Sequence, residues 1–215
     1  MLSQSVSVGE FSSLAGNGKL GPEMPRAIPP QLGKILSTLM LADVKDRFDK
    51  SNAPDGSPWK PLRHPRVNGG NKPLLDTGIL RASLFAGHGA DTVYVATTHP
   101  GAALQNFGGV VRPRRAKMLA IPLTKEAKRA GSPRRFRGTL QFQPTRRDRR
   151  FLLVEVPSGS SKRKAGGPGV PQFLLVDSVT VPARPFMGLS ASALQKIDLA
   201  LAEAIERGWL NGGVK

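Results

Sequence analysis

Gly16-Asn17-Gly18-Lys19-Leu20-Gly21 has the spacing by which glycines let backbone N–H groups approach a pyrophosphate at the start of a helix. That chemistry needs a strand before the glycines and a helix after them, and the flanking residues offer neither. Asp43, Asp46 and Asp49 recur at steps of three, as a carboxylate cluster for acid–base or metal chemistry would. Each has basic neighbours, so the run reads as the solvated face of a helix. His64, His88 and His99 lack the spacing of metal ligands or of a nucleophile relay, and read as loop or capping residues. No Gly-x-Ser-x-Gly elbow is present. The absence of cysteine removes a disulfide scaffold, a thiol nucleophile, cysteine-ligated zinc and iron–sulfur clusters. No catalytic, cofactor-binding or metal-binding residue is assigned, and the expectation is a protein that is not an enzyme and uses no cofactor.

Trp59 and Phe186 stand out differently, each beside prolines in a short rigid context. Large aromatics in such loops close a core from above, and the competing reading is a hot spot in a subunit interface.

The elements that must hold these residues follow from periodicity. Pro29 and Pro30 can open a helix, and Leu32, Ile35, Leu36, Leu39, Met40, Val44 and Phe48 recur at three and four, so a core-facing helix is expected from Pro29 to Ala53. The turn formers of Asn52–Pro58 end it. After the basic string Lys60 to Arg66, Asp76 or Thr77 is expected to cap a short helix in which Ile79, Leu80 and Leu84 face the core. Thr92–Thr97 and Lys117–Leu123 read as strands, and residues 99–107 as a turn of helix stopped by Gly108 and Gly109. Thr139–Gln143 and Phe151–Val156 read as a long hairpin with Arg146, Arg147, Arg149 and Arg150 at its tip. Gln172–Val181 is expected as a final strand. Ser190 should cap a closing helix whose Leu194, Ile197, Leu199, Leu201, Ala204 and Ile205 are apolar and which Gly208 stops.

The resulting fold class is α+β: a small, mostly antiparallel twisted sheet packed with two long helices. Residues 1–28, rich in Ser, Gly and Pro, are expected to be a flexible N-terminal arm. Residues 29–208 form a single domain carrying a basic strand and hairpin insertion over 112–169, and residues 209–215 are a tail.

Of 215 residues, 24 are Gly and 19 are Pro, against 39% hydrophobic residues, so much of the chain must be loop, arm or turn. No stretch is long and apolar enough to span a bilayer, and the start of the chain lacks the pattern of a signal peptide, so a soluble protein made in a cytoplasm is expected. The formal net charge is +17, and +14 of it lies between Arg112 and Lys164, where 17 Lys or Arg face three acids. A field so concentrated implies an anionic partner, either nucleic acid or an acidic protein surface.

Four stretches, in order, then carry a resemblance. Pro54-Asp-Gly-Ser-Pro-Trp59-Lys-Pro-Leu62, Pro73-Leu-Leu-Asp-Thr-Gly78-Ile-Leu-Arg81-Ala-Ser-Leu84, Ala103-Leu-Gln105-Asn-Phe-Gly-Gly109 and Pro182-Ala-Arg184-Pro-Phe186-Met-Gly-Leu-Ser190 resemble the phage virion morphogenesis family, the tail completion and neck proteins of Mu-like phages and prophages. The resemblance implies a structural virion protein located at the head–tail junction and assembled in the host cytoplasm. It implies a homo-oligomeric ring, a hexamer, meeting neighbouring neck or tail-tube proteins, with no membrane partner. Trp59, Asp76, Arg81, Gln105, Arg184 and Phe186 are the interface or structural residues of these motifs. Arg146, Arg147, Arg149 and Arg150 would contact an anionic partner, either genomic DNA in the channel or acidic patches on an adjacent ring. The alternative function is a basic nucleic-acid-binding protein, for which the aromatics interleaved with bases are few. A ribosomal or RNA-chaperone-like protein would disperse its charge along the chain, which this sequence does not.

Overall fold

A computed structural model describes residues 2–7, 28–62, 66, 70–145, 151–156 and 169–208. The chain divides into two compact units, the first made of residues 1–62, 72–108 and 182–215, the second of residues 63–71 and 109–181. Mixed helices and antiparallel sheets make the fold α+β.

In the first unit the longest helix, α1, runs Pro30–Lys50. Pro30 fits the first helical position because its missing N–H has no partner there in any helix. Leu32, Leu36, Met40, Val44 and Phe48 recur at every fourth residue and are almost wholly buried, while Ile35, expected on the same stripe, is 41% exposed. Ser51 ends the helix in the left-handed region, its N–H donating to the Arg47 carbonyl. The stripe packs on β2 (Leu84–His88) and β3 (Thr92–Thr97), an antiparallel pair in which Leu84 stands opposite Thr97 and His88 opposite Val93. β1 (Leu2–Ser7) pairs with the other edge of β3, giving the order β1-β3-β2. The expectation of an unstructured arm is thus corrected at Leu2–Ser7, where alternating Leu, Gln and Val with Ser suits a strand. Residues 8–27, including the Gly16–Gly21 motif, lie outside the described residues.

Between β2 and α1 lies the short helix α2 (Ile79–Ala82). Its cap is not the side chain of Asp76 or Thr77 but Gly78, with φ +76°. Leu80 is buried as expected, Ile79 is 60% exposed, and Leu84 belongs to β2 rather than to the helix. The helix α3 (Ala102–Phe107) stops where Gly108 turns to φ +72°. The closing helix, here α5, runs Ala191–Glu206 against α1. Ser190 caps it, its Oγ accepting from the Ala193 N–H at 3.2 Å. Its buried residues are Ala193, Ile197, Leu201 and Ala204, whereas Leu199 is 70% exposed and Ile205 partly so.

The second unit holds two separate sheets, where one sheet for the whole chain was expected. β4 (Gly109–Val111) pairs with β9 (Val179–Val181), and β5 (Leu119–Pro122), β6 (Thr139–Pro144), β7 (Phe151–Val156) and β8 (Val170–Val176) form a four-stranded sheet of order β5-β8-β7-β6. The anticipated final strand Gln172–Val181 is two strands, broken at Asp177 and Ser178 and shared between the sheets. The hairpin β6–β7 is present with Pro144 opposite Phe151. Residues 146–150, with all four tip arginines, lie outside the described residues. A short helix α4 (Lys125–Ala130), not expected from the sequence, precedes a 3-10 turn at Pro133–Arg135.

Candidate functional site

The motif residues of the first unit converge on the segment 182–190, and the local chemistry explains how. Beyond α1 the chain turns at Ala53–Gly56, where the Gly56 N–H donates to the Ala53 carbonyl, and Asn52 bridges to Pro58. Asp55 Oδ1 accepts from both the Ser57 N–H at 2.9 Å and the Ser57 hydroxyl at 2.6 Å, which holds the Asp55 carboxyl below its ordinary value. This turn delivers Trp59 back onto α1, with its backbone N–H on the Ser51 carbonyl.

Trp59, 5% exposed, stands edge-on to Phe48 with ring centres 5.7 Å apart, and Phe186 meets the same Phe48 ring at 5.4 Å. The indole N–H, which would otherwise be buried without a partner, donates to the Pro185 carbonyl at 2.8 Å. Both aromatics therefore sit in the core of the unit.

Polar groups fix the 182–190 segment from three sides. Asn106 Oδ1 accepts from the N–H groups of Phe186 and Met187 at 2.9 and 3.0 Å. Arg184 receives support at both ends: its backbone N–H donates to the Gln105 carbonyl at 2.9 Å, and its Nε donates to the Lys60 carbonyl at 3.0 Å. Gln105 thus joins through its main chain. Arg47, only 2% exposed, donates from one terminal nitrogen to the Phe186 carbonyl at 2.7 Å and from the other to Asp43. Burial lowers the Arg47 pKa, with the Asp43 and Asp46 carboxylates opposing it, and a guanidinium stays charged regardless. Asp43 accepts in addition from the Ser190 hydroxyl at 2.5 Å and the Ser190 N–H at 3.2 Å, so one ion pair couples mid-α1 to the N-terminus of α5. Gly188 completes the approach: at φ +138°, a Cβ there would fall 2.6 Å from Pro54 Cγ.

The outlying motif residues behave differently. Arg81 donates to Asp49 at 2.8 Å across exposed surface, an ion pair worth little by itself. Asp76 is exposed ahead of Gly78. Asp46 pairs with Lys50 on the solvent face, as the sequence suggested for the whole aspartate run. Asp43, Arg47 and Asn106 are the site residues that sequence reasoning missed. Arg47 directly precedes Phe48 and follows Val44 by three, a position inside the apolar stripe that its charge obscured.

Next to this hub lies an open hollow of about 260 Å³, lined by the Asp43–Lys50 face of α1, the Asn52–Gly56 turn and Ser190–Ser192. The Ser190 hydroxyl on its wall is committed to an arginine-paired carboxylate and to capping α5, and so is not poised as a nucleophile. His99 caps a turn through Nδ1, which accepts from the Gly101 N–H at 3.1 Å, and His88 ends β2. His64 lies outside the described residues. Among the described residues no cluster of His, Asp or Glu is placed to hold a metal, and no helix is long and apolar enough to cross a membrane.

The geometry yields two expected outcomes. Arg184→Lys keeps the charge but loses the Nε–H aimed at Lys60, and should lower stability by about 1.5–3 kcal/mol in urea denaturation. Asn106→Leu should cost more, about 2–5 kcal/mol, because it leaves two buried N–H groups unpaired. Asn106→Asp, which retains an acceptor, should recover part of that loss.

Residues 22–149 match the model of the phage virion morphogenesis family, a span that contains three of the four motifs and ends before Pro182–Ser190. No curated protein and no solved structure matches the chain.

Proposed function

Because this chain belongs to the phage virion morphogenesis family, we propose that it is a tail-completion or neck subunit that closes into a ring, a hexamer, at the head–tail junction. The observation that carries the reading is what the motif residues do in this fold. Trp59 and Phe186 pack on Phe48 of α1, while the Trp59 indole and the Arg184 Nε donate to the backbone carbonyls of Pro185 and Lys60, which is the task of a scaffold that presents surfaces. Large apolar side chains remain in water on the first unit: Leu199 is 70%, Phe107 69% and Ile79 60% exposed. Neighbouring copies or adjacent neck and tail-tube proteins would cover them, since such residues gain from burial about 25 cal/mol per Å².

A phage carrying a nonsense codon in this gene tests the proposal. Its lysates should contain heads and tails that do not join, and an epitope-tagged copy should restore joining and place label at the junction of complete particles. Normal joining without the protein, or label confined to the capsid face or the distal tail tip, would refute it.

A further inference from the structure

The second unit holds five basic residues, Lys125, Arg129, Arg134, Arg135 and Arg137, on an anchored segment. α4 is fixed at its start by Thr124, whose hydroxyl accepts from the Ala127 N–H at 3.1 Å and donates to Gln172 Oε1. Gln172, 3% exposed, donates in turn to Glu155 Oε2 at 2.7 Å, tying the helix to β8 and β7. Ala127 is fully buried where α4 packs on β5 and β8. Positions two before and two after a buried helical residue lie about 200° around the axis, so Lys125 and Arg129 are directed away from the sheet. Gly131, at φ +71°, ends the helix, and Phe136 beyond the 3-10 turn sets its ring edge-on to the buried Phe173 at 5.9 Å. The segment is therefore pinned at Thr124, Ala127 and Phe136.

What it exposes between those pins is almost purely cationic. Lys125, Arg129, Arg134, Arg135 and Arg137 are all exposed, and among the described residues none of them makes an ion pair or side-chain hydrogen bond. Glu126 is the one acid between residues 124 and 137. Five like charges held close on a fixed frame repel one another, and an anionic partner would relieve that repulsion.

We propose that Lys125–Arg137 is a phosphate-binding platform for duplex DNA, read through backbone charge without base recognition. The choice of nucleic acid over an acidic protein rests on what the surface lacks. Protein interfaces draw their affinity from apolar and aromatic anchors at the centre of the patch. Here Ala127 is turned inward and Phe136 packs on Phe173, leaving cations, a glycine and one glutamate to meet the partner. A surface of five cations and one glutamate, with Leu123 at its edge as the neighbouring exposed large apolar side chain, suits a polyanion, and arginine forks suit phosphate oxygens in particular. The platform, residues 125–137, does not include the four arginines of residues 146–150. It extends the virion reading by supplying a non-protein partner.

The test uses the purified full-length chain and a fluorescent random duplex of about 30 base pairs, titrated between about 50 and 200 mM salt. Wild type should bind with a linear log–log salt dependence. Replacing all five cations by Gln should weaken binding at least about tenfold at the lower salt and reduce the slope by up to about 4.5, roughly 0.9 for each phosphate no longer neutralised. The partial variants Lys125→Gln/Arg129→Gln and Arg134→Gln/Arg135→Gln/Arg137→Gln should each give part of that change at an unaltered melting temperature. These keep the proposal open to refutation if the fivefold variant does not fold. Absence of wild-type binding, or an unchanged slope in the platform variants, would overturn it. So would a slope that moves only when Arg146, Arg147, Arg149 and Arg150 become Ser. Wild-type binding to poly-glutamate but not to duplex would reassign the surface to an acidic protein. Because the measurement needs no virion, a chain that binds duplex yet labels elsewhere on the particle overturns the junction reading alone.

Discussion

Leu36→Asp and Ile197→Asp are each expected to abolish soluble expression. Leu36 is 0% exposed on the inner stripe of α1 and Ile197 is 1% exposed on α5, and both belong to the one core that the motif loops close. Truncation alone would cost each site about 2–5 kcal/mol through lost transfer energy and a cavity. A carboxylate adds the penalty of burying an unpaired charge, several kcal/mol more, or forces its own protonation. The total reaches the roughly 5–15 kcal/mol that ordinarily separates folded from unfolded chains. Fractionation of the expressed variants checks this, and wild-type yield and melting temperature from both would show that the stripe does not face a core. Leu199→Asp is the matched control: on the same helix as Ile197, but 70% exposed, it should express normally.

The second large effect is expected at Arg47. Arg47→Met preserves bulk and helix propensity but removes the positive member of a buried pair, with side-chain exposures of 3% for Arg47 and 13% for Asp43. Asp43 would keep its two bonds from Ser190 and lose its counter-charge, while the Phe186 carbonyl would lose a donor. Breaking such a pair from one side costs about 3–5 kcal/mol. Adding Asp43→Asn should restore at least about 1 kcal/mol, since the amide oxygen still accepts from Ser190 and no charge remains unpaired. Urea midpoints for the four members of this double-mutant cycle give the coupling directly. A single-variant loss below about 1 kcal/mol would mean the pair does not clamp α1 to α5.

How much of this was legible in the sequence depended on how many residues carried each signal. α1 was readable because five buried residues repeat at intervals of four. Arg47 was not legible as a site residue, because its charge argues against its place on that stripe. α4 left almost no amphipathic trace, since only the small Ala127 is buried, although its Thr124 cap and Gly131 stop are ordinary helix punctuation. β2, Leu-Phe-Ala-Gly-His, has weak strand propensity and is held by its pairing with β3 rather than by local preference. Asn106 sits within a motif without standing out there, because acceptance of two backbone N–H groups from a segment about eighty residues away leaves no local pattern. The break at Asp177 and Ser178 divided what the apolar run suggested was one strand. Where the stabilising interaction is local, the sequence announces it. Where it is long-range, the sequence supplies only a residue able to make it.

The pairing of β4 with β9 sets Gly109 opposite Val181, so residues 109–181 leave and rejoin the remainder of the chain through neighbouring strands. Chain ends that meet in this way can be joined by a short turn, so the stretch begins and ends at one place on the same small sheet. That stretch holds the +14 run between Arg112 and Lys164, whereas the aromatic hub of Phe48, Trp59 and Phe186 lies wholly outside it. The charge of that run and the aromatic packing of the hub are thus carried by different stretches of the chain.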